Sequence, residues 1–282
     1  MTTTLAPHRS LSTLTFGGVL RSEAIKLLSL RSTVWCFALI LIITVGLAAL
    51  IAGTSGLAPQ NVPTSPEAGQ QLWVLSATLG VSFAQLVVAV LGALTITGEY
   101  GTGMIRSTLT AVPRRLSALV AKAIIIATST FIVSLSSLVA AALLAASILP
   151  SSGVTPDLAD AAAWGAILGA AAYLGLLSIM ALAVGATVRN SAGGIAAILG
   201  LILVLPGVLG IFGAVTRIGW VRDLAAILPD SAGARMSSYA IEGAQAATDS
   251  LVLEPVQGLA VVLVWVTALI ILASVMLKSR DV

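Results

Sequence analysis

Long apolar segments separated by polar linkers dominate the hydrophobic pattern of this chain. Six segments have the roughly 20 apolar residues that a helix needs to cross a bilayer, and none of them contains Asp, Glu, Lys or Arg. They are residues 34–52, 72–97, 123–149, 162–188, 193–215 and 256–277. Because lipid offers the backbone no hydrogen-bond partner, such segments cross as helices. The pattern predicts an all-α, polytopic integral membrane protein with six transmembrane helices.

Residues 1–33 precede the first span and predict a polar cytoplasmic tail followed by a short amphipathic helix. Apolar residues at 20, 24, 27 and 28 share one helical face, and the basic residues at 21 and 26 lie away from it. This spacing favours a helix lying in the membrane interface. A short cytoplasmic helix without membrane contact is the alternative. The elbow residues of interest are Arg21, Glu23, Lys26, Leu27 and Arg31.

Basic residues are distributed unequally between the two sets of linkers. If the N-terminus is cytoplasmic, eleven of the 14 Lys and Arg residues lie inside and only Arg217, Arg222 and Arg235 lie outside. An excess of Lys and Arg in cytoplasmic segments is the usual determinant of orientation. An even number of spans returns the C-terminus to the same side, in agreement with Lys278 and Arg280. Both termini are therefore predicted to be cytoplasmic.

Composition supports the membrane assignment and removes several kinds of chemistry. The 282 residues are 58% hydrophobic and 9% charged, with a mean hydropathy of +1.09, against about 25% charged residues in soluble domains. One Cys and one His exclude a disulfide framework and most metal sites. The charge of +3 is spread over loops and does not indicate nucleic acid. No phosphate-binding G-x-x-x-x-G-K-[ST] motif is present, so any ATP would bind another chain.

The longest external linker, residues 216–255, mixes apolar and small residues. Asp230 or Ser231 could cap a helix running toward Ala247. A partly structured external cap and an unstructured loop are both compatible with this spacing.

Two features inside the spans could shape helix packing. Gly165 and Gly169 form a GxxxG pair that allows a second helix backbone to approach closely. Pro206 and Gly207 interrupt the fifth span, either as a tolerated kink or as a hinge beside a pathway.

The linker of residues 98–115, GEYGTGMIRSTLTAVPRR, is more elaborate than a turn between two spans requires. Glycines around Thr102 permit a tight turn, and Thr102 could cap a short helix over residues 104–109. The residue before Pro113 should be extended, which ends that helix. The linker is either a docking loop for a soluble partner or an anchor whose arginines only satisfy the orientation rule. An anchor accounts for the arginines but not for the glycines, Glu99 or the short helix.

The order of residues around this linker resembles a motif of permease subunits in the type-2 family of ABC exporters. The similarity is to the pattern E-x-x-x-G-T…L…P-x-x-R…K, and the corresponding residues are Glu99, Gly101, Thr102, Leu109, Pro113, Arg115 and Lys122. Residues 20–33, LRSEAIKLLSLRST, are similar to the N-terminal elbow of that family. LPDSAG at 228–233 resembles its Leu-Pro-x-x-Ala-Gly element.

The resemblance implies a multi-pass protein of the cell membrane, in a bacterium the inner membrane. It would pair with a second permease subunit, as a homodimer or heterodimer, and with two copies of an ABC ATP-binding subunit that hold ATP and Mg. This chain itself would bind no cofactor and catalyse no reaction. The implied coupling residues are Glu99, Gly101, Thr102, Met104, Ile105, Arg106, Leu109, Pro113, Arg114 and Arg115.

Two other function classes remain open at the level of sequence. One is a membrane scaffold or assembly protein whose cytoplasmic loop binds a partner without transport. The other is an intramembrane enzyme, which is disfavoured because the spans supply no titratable groups.

Overall fold

The computed structural model describes residues 15–57, 65–104, 115–216, 218–239 and 253–279. Every long element in these ranges is a helix, and none of their residues forms a strand. The helices are α1 Phe16–Ser29, α2 Arg31–Thr54, α3 Pro66–Thr78, α4 Val81–Gly101, α5 Arg115–Ile148, α6 Ala161–Val188, α7 Ser191–Leu199, α8 Leu205–Thr216, α9 Gly219–Ala226, α10 Pro229–Met236 and α11 Pro255–Ser279.

Six helical segments are long and apolar enough to cross a membrane, which confirms the predicted number of spans. They are Arg31–Leu57, Pro66–Gly101, Leu116–Ser152, Ala161–Val188, Ser191–Thr216 and Pro255–Leu277. Each contains one predicted span, so the chain has the helices of a multi-pass membrane protein. Helix starts follow side-chain caps: Ser65 accepts from the Ala68 amide, Asp160 from Ala162 and Asn190 from Gly193.

Helix α6 lies at the centre of the bundle and packs against α4, α5 and α11. Small residues bring α4 and α6 together: a Cβ on Gly92 would lie 2.6 Å from the Ser178 carbonyl oxygen. At one end of the core, the fully buried Trp73 of α3 meets Trp164 of α6 edge to face, with ring centroids 5.8 Å apart. Its indole nitrogen donates to the Ala142 carbonyl at 2.8 Å, which joins α3, α5 and α6.

The second span contains the segment predicted over residues 72–97, and its helix is interrupted once. It consists of α3 and α4, separated at Leu79 and Gly80. A Cβ on Gly80 would lie 2.6 Å from the Thr44 Cα, so this glycine lets the break rest on the backbone of α2. The helix of the third span begins at Arg115, eight residues before the predicted apolar segment, so Lys122 lies on this helix two turns from its start.

The fifth span passes through Pro206 without ending. A π-helical turn over Gly200–Val204 precedes α8 and carries the chain from α7 into it. Proline lacks an amide hydrogen and crowds the carbonyl four residues earlier, and widened turns of this kind accommodate such a disturbance. Gly207 lies in α8 with open space where a Cβ would be, so no close contact requires it.

The longest linker, residues 216–255, is partly structured, because α9 and α10 lie within it. Neither Asp230 nor Ser231 is the helix cap that the spacing suggested. Pro229 opens α10 in the first position, where its missing amide costs nothing, and Leu228 precedes it. The helix ends at Met236, before the predicted continuation toward Ala247, a residue that lies outside the described ranges.

Candidate functional site

Four charged side chains meet at the end of the bundle that contains α1, and we call them the ion cluster: Glu23, Lys26, Glu99 and Lys122. Lys122 Nζ lies 2.5 Å from Glu23 Oε2 and 2.9 Å from Glu99 Oε1. Lys26 Nζ lies 2.7 Å from Glu23 Oε1 and 3.3 Å from Glu99 Oε1. Each ammonium therefore bridges both carboxylates, and the formal charges of the cluster cancel.

Three separate elements supply the ion cluster. Glu23 and Lys26 lie one turn apart on α1, Glu99 lies near the end of α4, and Lys122 lies two turns into α5. Glu23, Glu99 and Lys122 are 3%, 8% and 6% exposed, so the contacts are largely shielded from water. The linker of residues 98–115 connects the two helices that carry Glu99 and Lys122. The cluster thus ties both ends of that linker to the N-terminal helix.

The electrostatics keep the α1 members of the cluster charged. Burial raises the pKa of Glu23, but the ammoniums of Lys122 and Lys26 outweigh this and hold it below its ordinary value. Burial likewise opposes the charge of Lys26, yet Glu23 and Glu99 raise its pKa overall. Glu23 therefore contributes stability at neutral pH that is lost as the pH falls through its lowered pKa. The contribution of Lys26 is lost as the pH rises through its raised pKa.

A cavity of about 300 Å³ adjoins the ion cluster, and all four of its members line the cavity. Apolar side chains such as Leu27, Leu94 and Ile126 form much of the remaining wall. Leu30 and Met104, 51% and 48% exposed, also belong to this wall. Glu99 Oε2 is buried and has no hydrogen-bond partner among the residues that the structure describes. The arrangement can hold charge in place, and it contains no group positioned as a nucleophile.

The turn after α4 begins the predicted coupling segment. Gly101 is the last residue of α4, and the Thr102 hydroxyl donates to the Gly98 carbonyl at 2.9 Å. Gly103 has a φ of +72°, a left-handed conformation that favours glycine. Met104 is the last residue described before the gap. The remaining predicted coupling residues Ile105, Arg106, Leu109, Pro113 and Arg114 lie outside the described ranges, and Arg115 is the first residue of α5.

The elbow helix packs one of its faces against the bundle, and its predicted place in the membrane interface stays a prediction. Val19, Glu23 and Leu27 are buried, whereas Leu28, placed on the apolar face by its spacing, is 65% exposed. The charge of Glu23 meets Lys122 of α5, and this contact rotates an acidic residue inward. Arg21 and Arg31 are both exposed.

Arg189 forms a second contact at the same end of the bundle, which the sequence analysis did not single out. It ends α6 with a φ of 59°. Its guanidinium lies 5.5 Å from the centre of the Tyr100 ring, and one of its nitrogens donates to the Met276 carbonyl at 3.2 Å. Arg189 therefore joins the ends of α4, α6 and α11.

Helix α10 is held inside the opposite end of the bundle by glycines. Gly169 of α6 faces the Met236 carbonyl, and Gly233 of α10 faces the Tyr173 ring, so closely that neither position has room for a Cβ. Gly165, the other member of the GxxxG pair, has nothing within 4 Å of an added Cβ. Tyr173 lies twelve residues into α6, about 18 Å at 1.5 Å per residue. Helix α10 therefore enters well below the end of α6.

A chain of hydrogen bonds fixes α10 to the bundle. The Tyr173 hydroxyl donates to Gln85 Oε1 at 2.6 Å, and Gln85 Nε2 donates to Asp230 Oδ1 at 2.8 Å. Gln85 and Tyr173 are buried.

Sequence reasoning identified most members of the ion cluster singly and missed their association. Glu23 and Lys26 were assigned to an interfacial elbow, and Glu99 and Lys122 to the motif around the 98–115 linker. The signal that could have joined them is charge balance: two acids and two bases flank apolar segments at the same predicted side of the membrane. No protein-family model and no curated protein matches this chain, so its function is inferred from the residues and contacts described above.

Proposed function

We propose that this chain is the membrane-spanning permease subunit of an ATP-driven ABC exporter, coupled to a separate ATP-binding subunit through residues 98–115. The observation that supports the proposal is the ion cluster, which unites α1, α4 and α5 where that linker leaves and re-enters the bundle. A partner that displaces the linker would move these three helices as a unit. A linker that only anchored the chain would not require such a joint.

The charge distribution supports the proposed orientation, with α1, the ion cluster and both termini in the cytoplasm. Exposed Arg21 and Arg31 flank a helix whose Ile25 and Leu28 side chains are also exposed. This combination suits an elbow in the headgroup region of the cytoplasmic leaflet. In this orientation α10 enters the bundle from outside. ATP and Mg would bind the partner, and a second permease subunit would complete the pathway.

The first experiment is a mild-detergent purification of the tagged chain from its native membranes, with mass spectrometry of the proteins that accompany it. We expect an ATPase with a phosphate-binding loop, in stoichiometric amount with the permease. If none accompanies the chain, even after crosslinking with an ATP analogue present, the exporter proposal is wrong. A scaffold that binds another partner through the same linker would then explain the ion cluster better.

The turn at Gly103 offers a test of coupling that leaves the core untouched. Gly103→Ala forces a side chain into a left-handed conformation at a cost of about 1–2 kcal/mol, although nothing lies within 4 Å of the added Cβ. We expect the ATPase activity of the purified complex to lose its response to transported substrate, while the yield of the chain stays normal.

The matched control is Gly46→Ala in α2, outside the linker. Gly46 is helical and also has nothing within 4 Å of an added Cβ, so the substitution should leave coupling unchanged. If both substitutions reduced the ATPase response to substrate equally, the turn at Gly103 would have no specific role in coupling.

A further inference from the structure

A cleft of about 430 Å³ opens between α3, the start of α4 and the end of α10. Leucines and alanines contribute its apolar surface. Its polar lining is neutral and consists of one amide and several hydroxyls, from Gln71, Thr78, Ser82, Ser237, Ser238 and Tyr239. A volume in this range matches pockets that hold drug-sized molecules. No Asp, Glu, Lys or Arg is among the described residues that line the cleft.

Asp230 does not itself line the cleft, but it lies one helical turn before the lining residue Ala234 on α10. It precedes Ala234 and Ser237 of the lining by four and seven residues, and so shares their face of α10. Its hydrogen-bond donor Gln85 follows Ser82 of the lining by three residues on α4. Asp230 forms no ion pair within the described ranges. Burial raises the pKa of this carboxyl, and the hydrogen bond from Gln85 offsets part of the rise.

Acidic residues also surround Tyr239 at another part of the cleft. Its hydroxyl donates to the Asp160 carboxylate, and Glu67 and Asp157 lie close enough to add to the rise in the pKa of the phenol. The charged residues near the cleft, at Asp230 and around Tyr239, are therefore acidic. Arg235, the only basic residue of α10, is exposed and is not part of the lining.

We propose that this cleft binds an organic cation with an apolar body, the cationic group lying toward Asp230. Negative charges without paired cations attract a positive ligand and repel an anionic one. The Tyr239 ring adds an aromatic surface of the kind that binds ammonium groups, and the leucines accept the apolar body. Gln85 and Tyr173 position the carboxylate before a ligand arrives. The inference deepens the proposed function and rests on it for its biological meaning, since the cation would be the exported substrate.

The test is equilibrium binding of rhodamine 6G, a fluorescent lipophilic cation, to the purified chain in phosphatidylcholine nanodiscs, followed by fluorescence polarisation. Asp230→Asn keeps an oxygen that can accept from Gln85 and removes the charge. We expect the substitution to weaken binding at least about tenfold, the scale of one well-placed charge pair. Binding of the uncharged dye Nile red should stay unchanged. Glu254→Gln, the same charge change at an exposed residue outside the cleft lining, serves as the matched control.

Two results would overturn the cation site. One is rhodamine binding that is the same in the parent chain, Asp230→Asn and Asp160→Asn. The other is an equal loss of rhodamine 6G and Nile red in Asp230→Asn, which would show that Asp230 only maintains the cleft. A Ser238→Trp substitution gives an independent check, because filling the cleft should abolish binding of both dyes.

Because the binding measurement needs no ATPase, it separates the two proposals. If binding depends on the charge of Asp230 but no ATPase accompanies the chain, the cation site stands and the exporter proposal is wrong. If an ATPase accompanies the chain but binding does not depend on that charge, the exporter proposal stands and the cation site is wrong.

Discussion

Replacing Lys122 with glutamine is expected to lower the free energy of unfolding by about 3–5 kcal/mol, the usual result of removing one partner from a buried ion pair. Glu23 and Glu99 would then share only Lys26, and the buried cluster would carry a net charge of −1. Lys122 is 6% exposed, so water cannot replace its ammonium cheaply. Titration with sodium dodecyl sulfate, followed by circular dichroism, measures the change.

Adding Glu23→Gln to Lys122→Gln should recover part of the lost free energy of unfolding. Glu23→Gln alone leaves the cluster with a charge of +1, but Glu23→Gln combined with Lys122→Gln leaves Lys26 facing Glu99 with no net charge. The double variant should therefore be more stable than the sum of the single effects, by about 0.5–3 kcal/mol.

Arg21→Gln is the control for this cycle, because it removes a charge from the exposed face of the same helix. It should change stability by less than about 0.5 kcal/mol. Additive effects of Glu23→Gln and Lys122→Gln would contradict the cluster as described.

Replacing Gly169 with alanine is expected to displace α10 from the bundle. The added Cβ would overlap the Met236 carbonyl, and a backbone atom cannot rotate away as a side chain can. Over-packing of this kind costs about 1–3 kcal/mol or more. Movement of α10 should also weaken the bond between Gln85 and Asp230. The measurement is the rate of tryptic cleavage after Arg235 in nanodiscs, which requires α10 to open locally and should rise.

Gly165→Ala, one turn earlier on α6, is the matched control. Nothing lies within 4 Å of its added Cβ, and alanine is the better helix former by about 0.5–1 kcal/mol. The protein should therefore cleave at the parental rate and unfold no more easily. Faster cleavage in both variants would mean that α6, and not the contact with Met236, controls the position of α10.

The six spans could be predicted because each is a continuous apolar segment long enough, as a helix, to cross the hydrocarbon core of a bilayer. The ion cluster could not, because Glu23 and Lys122 are 99 residues apart and Lys26 and Glu99 are 73 apart. Spacing on one helix says nothing about which distant helix supplies the counter-charge. Spacing could group Leu27 and Leu28 on one apolar face of α1, but it could not show that Glu23 turns inward to contact Lys122.

The entry of α10 was also beyond the sequence pattern. Its residues belong to a linker of mixed apolar and small side chains for which a partly structured cap and an unstructured loop were both open, and the room for α10 comes from Gly169 and Gly233 on two different helices. Of the GxxxG pair, the sequence does not distinguish Gly169, which faces a neighbouring backbone, from Gly165, which faces open space. That difference arises only when α10 occupies its position.

The break at Gly80 has a mechanical consequence. A continuous helix transmits a displacement of one end to the other end, whereas an interrupted helix allows its two parts to tilt by different angles. The helix of the second span is interrupted there, with the proposed cation cleft along its α3 part and Glu99 at the far end of its α4 part. Gly80 lies against the Thr44 backbone, so the first span contacts the second at the interruption. A force applied at Glu99 would swing α4 about that point and leave α3 free to tilt by its own angle. The cleft beside α3 and the proposed ATPase contact near Glu99 would then lie on the same span and still move by different amounts.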